Sequence, residues 1–209
     1  MNDPMNKPIQ APVIAVSRHR IQTDGQGVTT LVCFHGCPLR CRYCLNPFSF
    51  AENTAYTQMT PLELYQQVQV DELYFLATEG GVTFGGGEPL LRAEFIKEFR
   101  RICGKEWRLA IETSLAVPME KVRLLADCVD EWIIDIKDTD PAVYRRYTGQ
   151  DNTIVMENLR LLSALVPAER IRLHLPLIPH FNTEEGRQKS KERLSAMGFT
   201  QFDCFTYKT

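Results

Sequence analysis

The sequence predicts an α/β fold, a partial (β/α)6 barrel of parallel strands in a single domain. Three observations lead there. Six short apolar or β-branched runs alternate with stretches whose apolar residues recur at helical spacing, the pattern of parallel strands joined by right-handed crossovers. The residues suited to metal or charge chemistry fall at the ends of those runs, and in parallel barrels the chemistry sits at the carboxyl ends of the strands. Finally, 209 residues suffice for one sizeable core and are too few for two.

The elements follow in order. Met1 to Pro12 is polar and carries Pro4, Pro8 and Pro12, so residues 1–12 read as a flexible tail and 13–209 as the core domain. Val28 to Phe34 is the first strand. Thr60-Pro61-Leu62-Glu63 offers a cap, a proline at the first helical position and a glutamate three after the cap, which starts a helix. Gly81 to Phe84 is the second strand, running into Gly85-Gly86-Gly87. Phe95, Phe99 and Ile102 mark the next helix, and Arg108 to Ile111 the third strand. A helix from about Pro118 buries Met119, Val122 and Leu125, and Trp132 to Ile136 is the fourth strand. Ile154 to Leu165 is helical, Ile171 to Leu175 the fifth strand. Thr183 caps a charged helix that stops at Gly198, and Gln201 to Tyr207 is the last strand.

Composition excludes several function classes. Hydrophobic residues at 44% and charged residues at 24% are ordinary globular values. A net charge of -2 and a pI near 6.1 leave no footprint for nucleic acid or a membrane surface. No run of apolar residues is long enough to span a bilayer, and the start lacks the pattern of a signal peptide. The seven cysteines therefore read as reduced thiols and metal ligands in a cytoplasmic protein.

Three of those cysteines, Cys37, Cys41 and Cys44, stand at C-x3-C-x2-C spacing on what must be a tight loop. Zinc, with Cys33 or His35 as a fourth ligand, is one tenant. An iron-sulfur cubane held by three thiolates, with one iron open, is the other, and three ligands suit it better. Cys103, Cys128 and Cys204 read as inert thiols in apolar surroundings. Glu112, Asp135 and Lys137 lie at strand ends where burial demands partners. Plain salt bridges satisfy that demand as well as a ligand would.

The cysteine motif, with Tyr43 before its last cysteine and Gly86-Gly87-Glu88-Pro89 about forty residues later, resembles the radical S-adenosylmethionine (radical SAM) superfamily. Asp24-Gly25-Gln26-Gly27, Asn46-Pro47, Ile134-Asp135-Ile136-Lys137 and Pro176-Leu177-Ile178-Pro179 narrow the resemblance to glycyl radical enzyme activating enzymes of the pyruvate formate-lyase activating type. The resemblance implies a 4Fe-4S cluster on Cys37, Cys41 and Cys44, SAM, and a monovalent cation. It places Tyr43 beside the adenine, Gly86, Gly87 and Glu88 by the methionine ammonium, and Lys137 at the carboxylate. Glu112, Thr113 and Asp135 then stand near the cation, His174 where an arginine is expected, and Asp24, Gly25 and Gly27 in a loop that holds the substrate peptide. The implied reaction is reductive cleavage of SAM to a 5'-deoxyadenosyl radical that takes hydrogen from a glycine of a partner enzyme, anaerobically, with flavodoxin or ferredoxin as electron donor. A radical SAM enzyme acting on a small molecule or modified peptide is the alternative, and a metal-stapled binding module a third. Against the family pattern, Thr29 stands where arginine is expected, Gly85 replaces a serine, Leu115 and His180 replace glycines, and Tyr207-Lys208 replaces a tyrosine-histidine pair.

Overall fold

The computed structural model describes residues 8–21 and 23–207. One eight-stranded sheet forms, in the order β3-β1-β2-β4-β5-β6-β7-β8. The six expected strands are β2 (Val28–Phe34), β4 (Gly81–Gly86), β5 (Arg108–Thr113), β6 (Glu131–Asp135), β7 (Ile171–Leu177) and β8 (Gln201–Thr206), all mutually parallel. Two more strands extend the sheet. β1 (Ala11–Ile21) runs antiparallel to β2, and β3 (Thr57–Met59) antiparallel to β1. The barrel stays open, with β3 and β8 as its edges.

β1 corrects the sequence reading, which left it out. Its side-chain alternation is broken by two register shifts, between Val13 and Ala15 and between Ser17 and Arg20, and a bulge moves the following residues to the other face. The strand also takes in Ala11 and Pro12, the last residues assigned to the tail, because Ala11 is fully buried in the core. The ribbon is pinned by Asp71, fully buried, whose carboxylate accepts from Arg18, from the hydroxyl of Thr30 at 2.9 Å and meets His19 Nε2 at 2.9 Å.

Period-two alternation sorts the parallel strands. Val32, Phe34, Val82, Phe84, Leu109, Ile111, Trp132, Ile134 and Leu173 face outward into the core, where they meet helices α1 (Pro61–Val68), α3 (Ala93–Cys103), α4 (Met119–Leu125), α6 (Thr153–Leu165) and α7 (Glu184–Ser195). Burial of these apolar side chains, worth roughly 1.5–3 kcal/mol each, holds the helical layer on the sheet. Alternate residues, among them Thr83, Gly85, Ala110, Glu112, Asp135 and His174, face the concave side. Chemistry is thereby confined to the inner face.

α1 begins as predicted: Thr60 and Glu63 form a reciprocal capping box, with Thr60 N donating to Glu63 Oε2 at 2.7 Å and Glu63 N to Thr60 Oγ1 at 3.2 Å. Thr183 caps α7 by accepting from Gly186 N. Val122 and Leu125 of α4 are fully buried, whereas Met119 is only half-buried because it sits in the first turn. Two helices went unread, α2 (Glu72–Thr78) and α5 (Pro141–Thr148). Cys204 is exposed rather than packed, since β8 is an edge strand with an open flank.

Candidate functional site

The loop after β2 carries the three cysteines. Gly36 N donates to Ser49 O at 2.6 Å, and the amides of Arg40 and Arg42 donate to the carbonyls of Thr148 and Tyr147 at 3.0 and 3.1 Å. Leu39 is buried beneath, and the Arg40 guanidinium closes the loop by donating to the carbonyls of Cys37 and Leu39. These bonds fix the backbone while leaving Cys37, Cys41 and Cys44 as free, half-buried thiols.

β4 ends directly against this loop. Gly87 N donates to Phe34 O at 3.0 Å and Glu88 N to Gly36 O at 2.7 Å. A Cβ on Gly87 would lie 2.2 Å from Gly36 O, and one on Gly86, where φ is +84°, 2.7 Å from Cys33 Cβ. Bare backbone is therefore required for the two strand ends to meet. Glu88 is fully buried, and its carboxylate accepts from Thr113 Oγ1 (2.6 Å), Ser114 Oγ (2.6 Å), Ser114 N (2.9 Å) and Leu90 N (3.1 Å). Burial pushes its pKa up and these four donors pull it back. Glu88 thus ties β4 to β5, and the Thr113 hydroxyl is committed to it.

One cavity of about 290 Å³ receives all three cysteines together with Tyr43, Gly86, Gly87, Glu88, Glu112, Thr113, Asp135, Lys137 and His174. These residues come from five strand ends and assemble only because the strands are parallel and in register. Lys137 Nζ, nearly buried, lies 3.0 Å from Asp135 Oδ2 and 3.3 Å from the Tyr207 hydroxyl. His174 Nδ1 meets Asp135 Oδ1 at 3.1 Å, and its Nε2 lies 3.7 Å from Asp203. The Asp135 side chain is 39% exposed, and it faces the cavity.

Charge coupling follows. Burial would raise the Asp135 carboxyl, but Lys137 and His174 outweigh it and hold it well below the usual carboxylate range. Burial would lower Lys137, yet Asp135 raises it well above its ordinary value, and His174 likewise ends up raised by Asp135, Asp203 and Glu112. Glu112 has no hydrogen-bond partner among the described residues. Burial first, then the charges of Asp135 and Asp24, push it up to about 7.

The thiols need a positive partner. Burial pushes Cys37 up to about 12, helped by Glu88 and the neighbouring thiols, and raises Cys41 as well, with Lys137 opposing. Among the described residues, no three His, Cys, Asp or Glu side chains converge on a point that would hold one metal ion. A cubane instead takes one thiolate per iron, so its ligands surround it. The two candidates for a fourth zinc ligand are engaged elsewhere: Cys33 is buried under Gly86, and His35 Nε2 bonds Ala51 O at 3.1 Å while its ring packs on Tyr56. The donor set fits a cluster.

Asp24, Gly25 and Gly27 do not reach the cavity. Their loop folds onto the concave face, where Thr83 donates to Asp24 O and a Cβ on Gly25 would lie 3.5–3.6 Å from Thr83, Ala110 and Thr29. Gly27, with φ +70°, sits so close to α2 that a Cβ would lie 2.3 Å from Thr78 O. The departures from the family pattern have physical explanations here. Arg20 stands opposite Thr29 in the β1–β2 ladder, and its guanidinium pairs with Asp24, so an arginine lies across the ladder from position 29. A Cβ at Gly85 would lie 3.0 Å from Glu112 Oε2, so the missing serine makes room for Glu112. Leu115 and His180, where the family pattern has glycines, stand at φ of +57° and +67°, in the left-handed region that favours glycine. Leu115 is held there by Asn158, which donates to Leu115 O at 2.8 Å. Lys208 lies outside the described residues.

Tyr147, Phe205, Leu45 and Ser114, which the sequence reading does not name as site residues, also line the cavity, as does Tyr207, noted there only as a departure from the family pattern. Tyr147 had a legible signal. Asp140-Pro141 caps and opens α5, with Asp140 accepting from Ala142 N and Val143 N, and Gly149 closes it at φ +81°.

An open parallel barrel with a three-thiol loop at its rim defines the class, and the chain belongs to the Radical SAM superfamily, whose family model matches residues 31–189. Its cofactors are accordingly a 4Fe-4S cluster and SAM. More particularly, it is 31% identical over 182 residues to the pyruvate formate-lyase-activating enzyme of Staphylococcus epidermidis, covering 84% of this chain and 69% of that one. It is 28% identical over 241 residues to the (2S)-3-sulfopropanediol dehydratase activating enzyme of Klebsiella oxytoca, covering 86% and 75%. In fold it is similar to Streptococcus suis SuiB bound to S-adenosylmethionine, with a TM-score of 0.64 at 13% identity over 83% of this chain and 39% of that one.

Proposed function

We propose that this chain is an activating enzyme, which uses radical SAM chemistry to remove hydrogen from a glycine of a partner glycyl radical enzyme. The observation that carries the reading is the single cavity: three thiols and the Asp135–Lys137–His174 network open onto it, in a chain whose curated relatives are named activating enzymes. Those names favour a protein substrate over a small molecule.

When bound, the cluster and SAM supply the one-electron cleavage that begins radical chemistry. The chain's own residues bind, orient and exclude water. Cys37, Cys41 and Cys44 would hold the cluster, and the charge of Lys137, steadied by Asp135 and Tyr207, would meet the SAM carboxylate. Tyr43, packed edge-on against Phe181 and Tyr147 with centroids 5.7 and 6.2 Å away, forms a stiff wall suited to the adenine. The bare Gly86 and Gly87 backbone would receive the ammonium, and Glu112 with Asp135 would draw a monovalent cation to the inner face. His174 positions Asp135. The loop at Asp24, Gly25 and Gly27 shapes the concave face on which the glycine segment is received. Hydrogen removal needs no general base, and none is assigned. A one-electron carrier such as flavodoxin or ferredoxin supplies the electron, in an anaerobic cytoplasm; among the described residues no helix is long and apolar enough to cross a membrane.

The test is anaerobic. Reconstituted, reduced protein given SAM should release 5'-deoxyadenosine, Cys41→Ala should not, and a co-encoded glycyl radical enzyme should acquire a glycyl radical signal in electron paramagnetic resonance. SAM cleavage with no radical on any such partner would reject the activase reading.

A further inference from the structure

Helix α5 is bonded to the cysteine loop through its last turn, where the carbonyls of Tyr147 and Thr148 accept from the amides of Arg42 and Arg40. Helix C-termini leave such carbonyls unpaired, and here the loop satisfies them. The helix is thus the floor on which the loop rests. It carries Tyr144 and Tyr147, three residues apart and so on one face. Both are 1% exposed, and neither hydroxyl has a hydrogen-bond partner among the described residues.

A buried hydroxyl without a partner is costly, and phenylalanine would fill the same space without that cost. Two such hydroxyls on one face suggest a shared acceptor that side chains do not provide. Their surroundings indicate which. The amides bonded to the end of α5 are those of Arg40 and Arg42, which flank Cys41, so the helix lies against that part of the loop; burial raises the Tyr144 pKa, and a negative charge at Cys41 raises it further. Tyr147 lines the cavity and feels burial, Tyr207, Lys137 and Cys41 in turn. Cys41 is common to both tyrosines. Cluster thiolates and sulfides accept hydrogen bonds, and such bonds stabilise the reduced, more negative state.

We propose that Tyr144 and Tyr147 are outer hydrogen-bond donors to the iron-sulfur cluster, their hydroxyls pointing to the sulfur atoms around Cys41 and raising the cluster's reduction potential. The proposal rests on the reading of Cys37, Cys41 and Cys44 as cluster ligands. It assigns α5 a role in electron entry as well as in supporting the loop.

The test uses Tyr144→Phe, Tyr147→Phe and the double variant with three readouts. Thermal melting of the cofactor-free proteins should show the variants as stable as wild type or more so, because an unpaired hydroxyl has gone. Iron and sulfide content after anaerobic reconstitution should match wild type. Redox titration followed by electron paramagnetic resonance should give more negative midpoint potentials for both single variants and the largest shift for the double. Loss of cluster loading in a variant that still folds would make the hydroxyls supports of the loop and overturn their role in setting the potential. Full loading with a wild-type potential overturns the proposal alone, as does a marked loss of cofactor-free stability, which would mean the hydroxyls have protein partners. Failure of the wild type itself to load a cluster overturns the ligand reading and the proposal with it.

Discussion

Glu112→Gln should stabilise the cofactor-free protein at alkaline pH and leave it nearly unchanged in mild acid. Glu112 faces the cavity without a hydrogen-bond partner among the described residues, and burial followed by the charges of Asp135 and Asp24 raises its pKa from 4.5 to about 7. For an acid whose folded pKa lies above its unfolded one, the native state holds a proton that the unfolded chain releases. Stability therefore declines as pH rises from 4.5 to about 7. At about 1.4 kcal/mol per pH unit the full effect is about 3 kcal/mol, or roughly 6–12 °C in Tm for a domain of this size. Glutamine has the shape of the protonated acid, so the two proteins should match near about pH 5 and separate by up to about 3 kcal/mol near about pH 8. Urea unfolding in buffers free of alkali cations measures both. A gap of equal size at the two pH values, or a wild type more stable than the variant at the higher one, would refute the account of Glu112 as a strained buried acid.

Lys137→Met removes the cation paired with Asp135, and SAM affinity on the cluster-loaded protein should fall by ~10- to 100-fold, the worth of one charge-assisted hydrogen bond of about 1.5–3 kcal/mol. Equilibrium dialysis reads it, and an unchanged Kd at equal iron content would move the carboxylate contact elsewhere. Gly87→Ala drives a Cβ to within 2.2 Å of Gly36 O, so the end of β4 must part from the cysteine loop. We expect a loss of about 2–4 kcal/mol in stability, together with poor iron loading; a fully loaded, stable variant would show that the close approach is dispensable. Leu115→Gly relieves a left-handed leucine, worth about 1–2 kcal/mol, but gives up a fully buried side chain worth about 3–5. The net should be a destabilisation of about 2 kcal/mol in urea titrations, and stability equal to wild type would mean that the side chain contributes no packing.

The sequence by itself determined the six parallel strands, the capped start of α1 and the loop bearing Cys37, Cys41 and Cys44. Each of these is written in neighbouring residues: a run of β-branched side chains, a Thr-Pro-x-Glu start, a cysteine spacing. Local pattern also indicated that Gly86-Gly87 would bring bare backbone to a strand end. It failed at β1, where two bulges break the alternation, and at α5, whose Asp140-Pro141 and Gly149 limits were legible but went unused.

Tertiary structure decided what depends on residues distant in sequence. Thr29 looks like a lost arginine until the ladder sets Arg20 across from it, and Gly85 looks like a lost serine until β5 brings Glu112 against it. Asp135, Lys137 and His174 are three charged residues on paper. Only the register of β6 against β7, pairing Asp135 with His174, makes them one coupled network. The cause is physical: periodicity and caps act over a few residues, whereas burial and Coulomb energy depend on which strand ends share a cavity, and that is settled only when the strands take their order in the sheet.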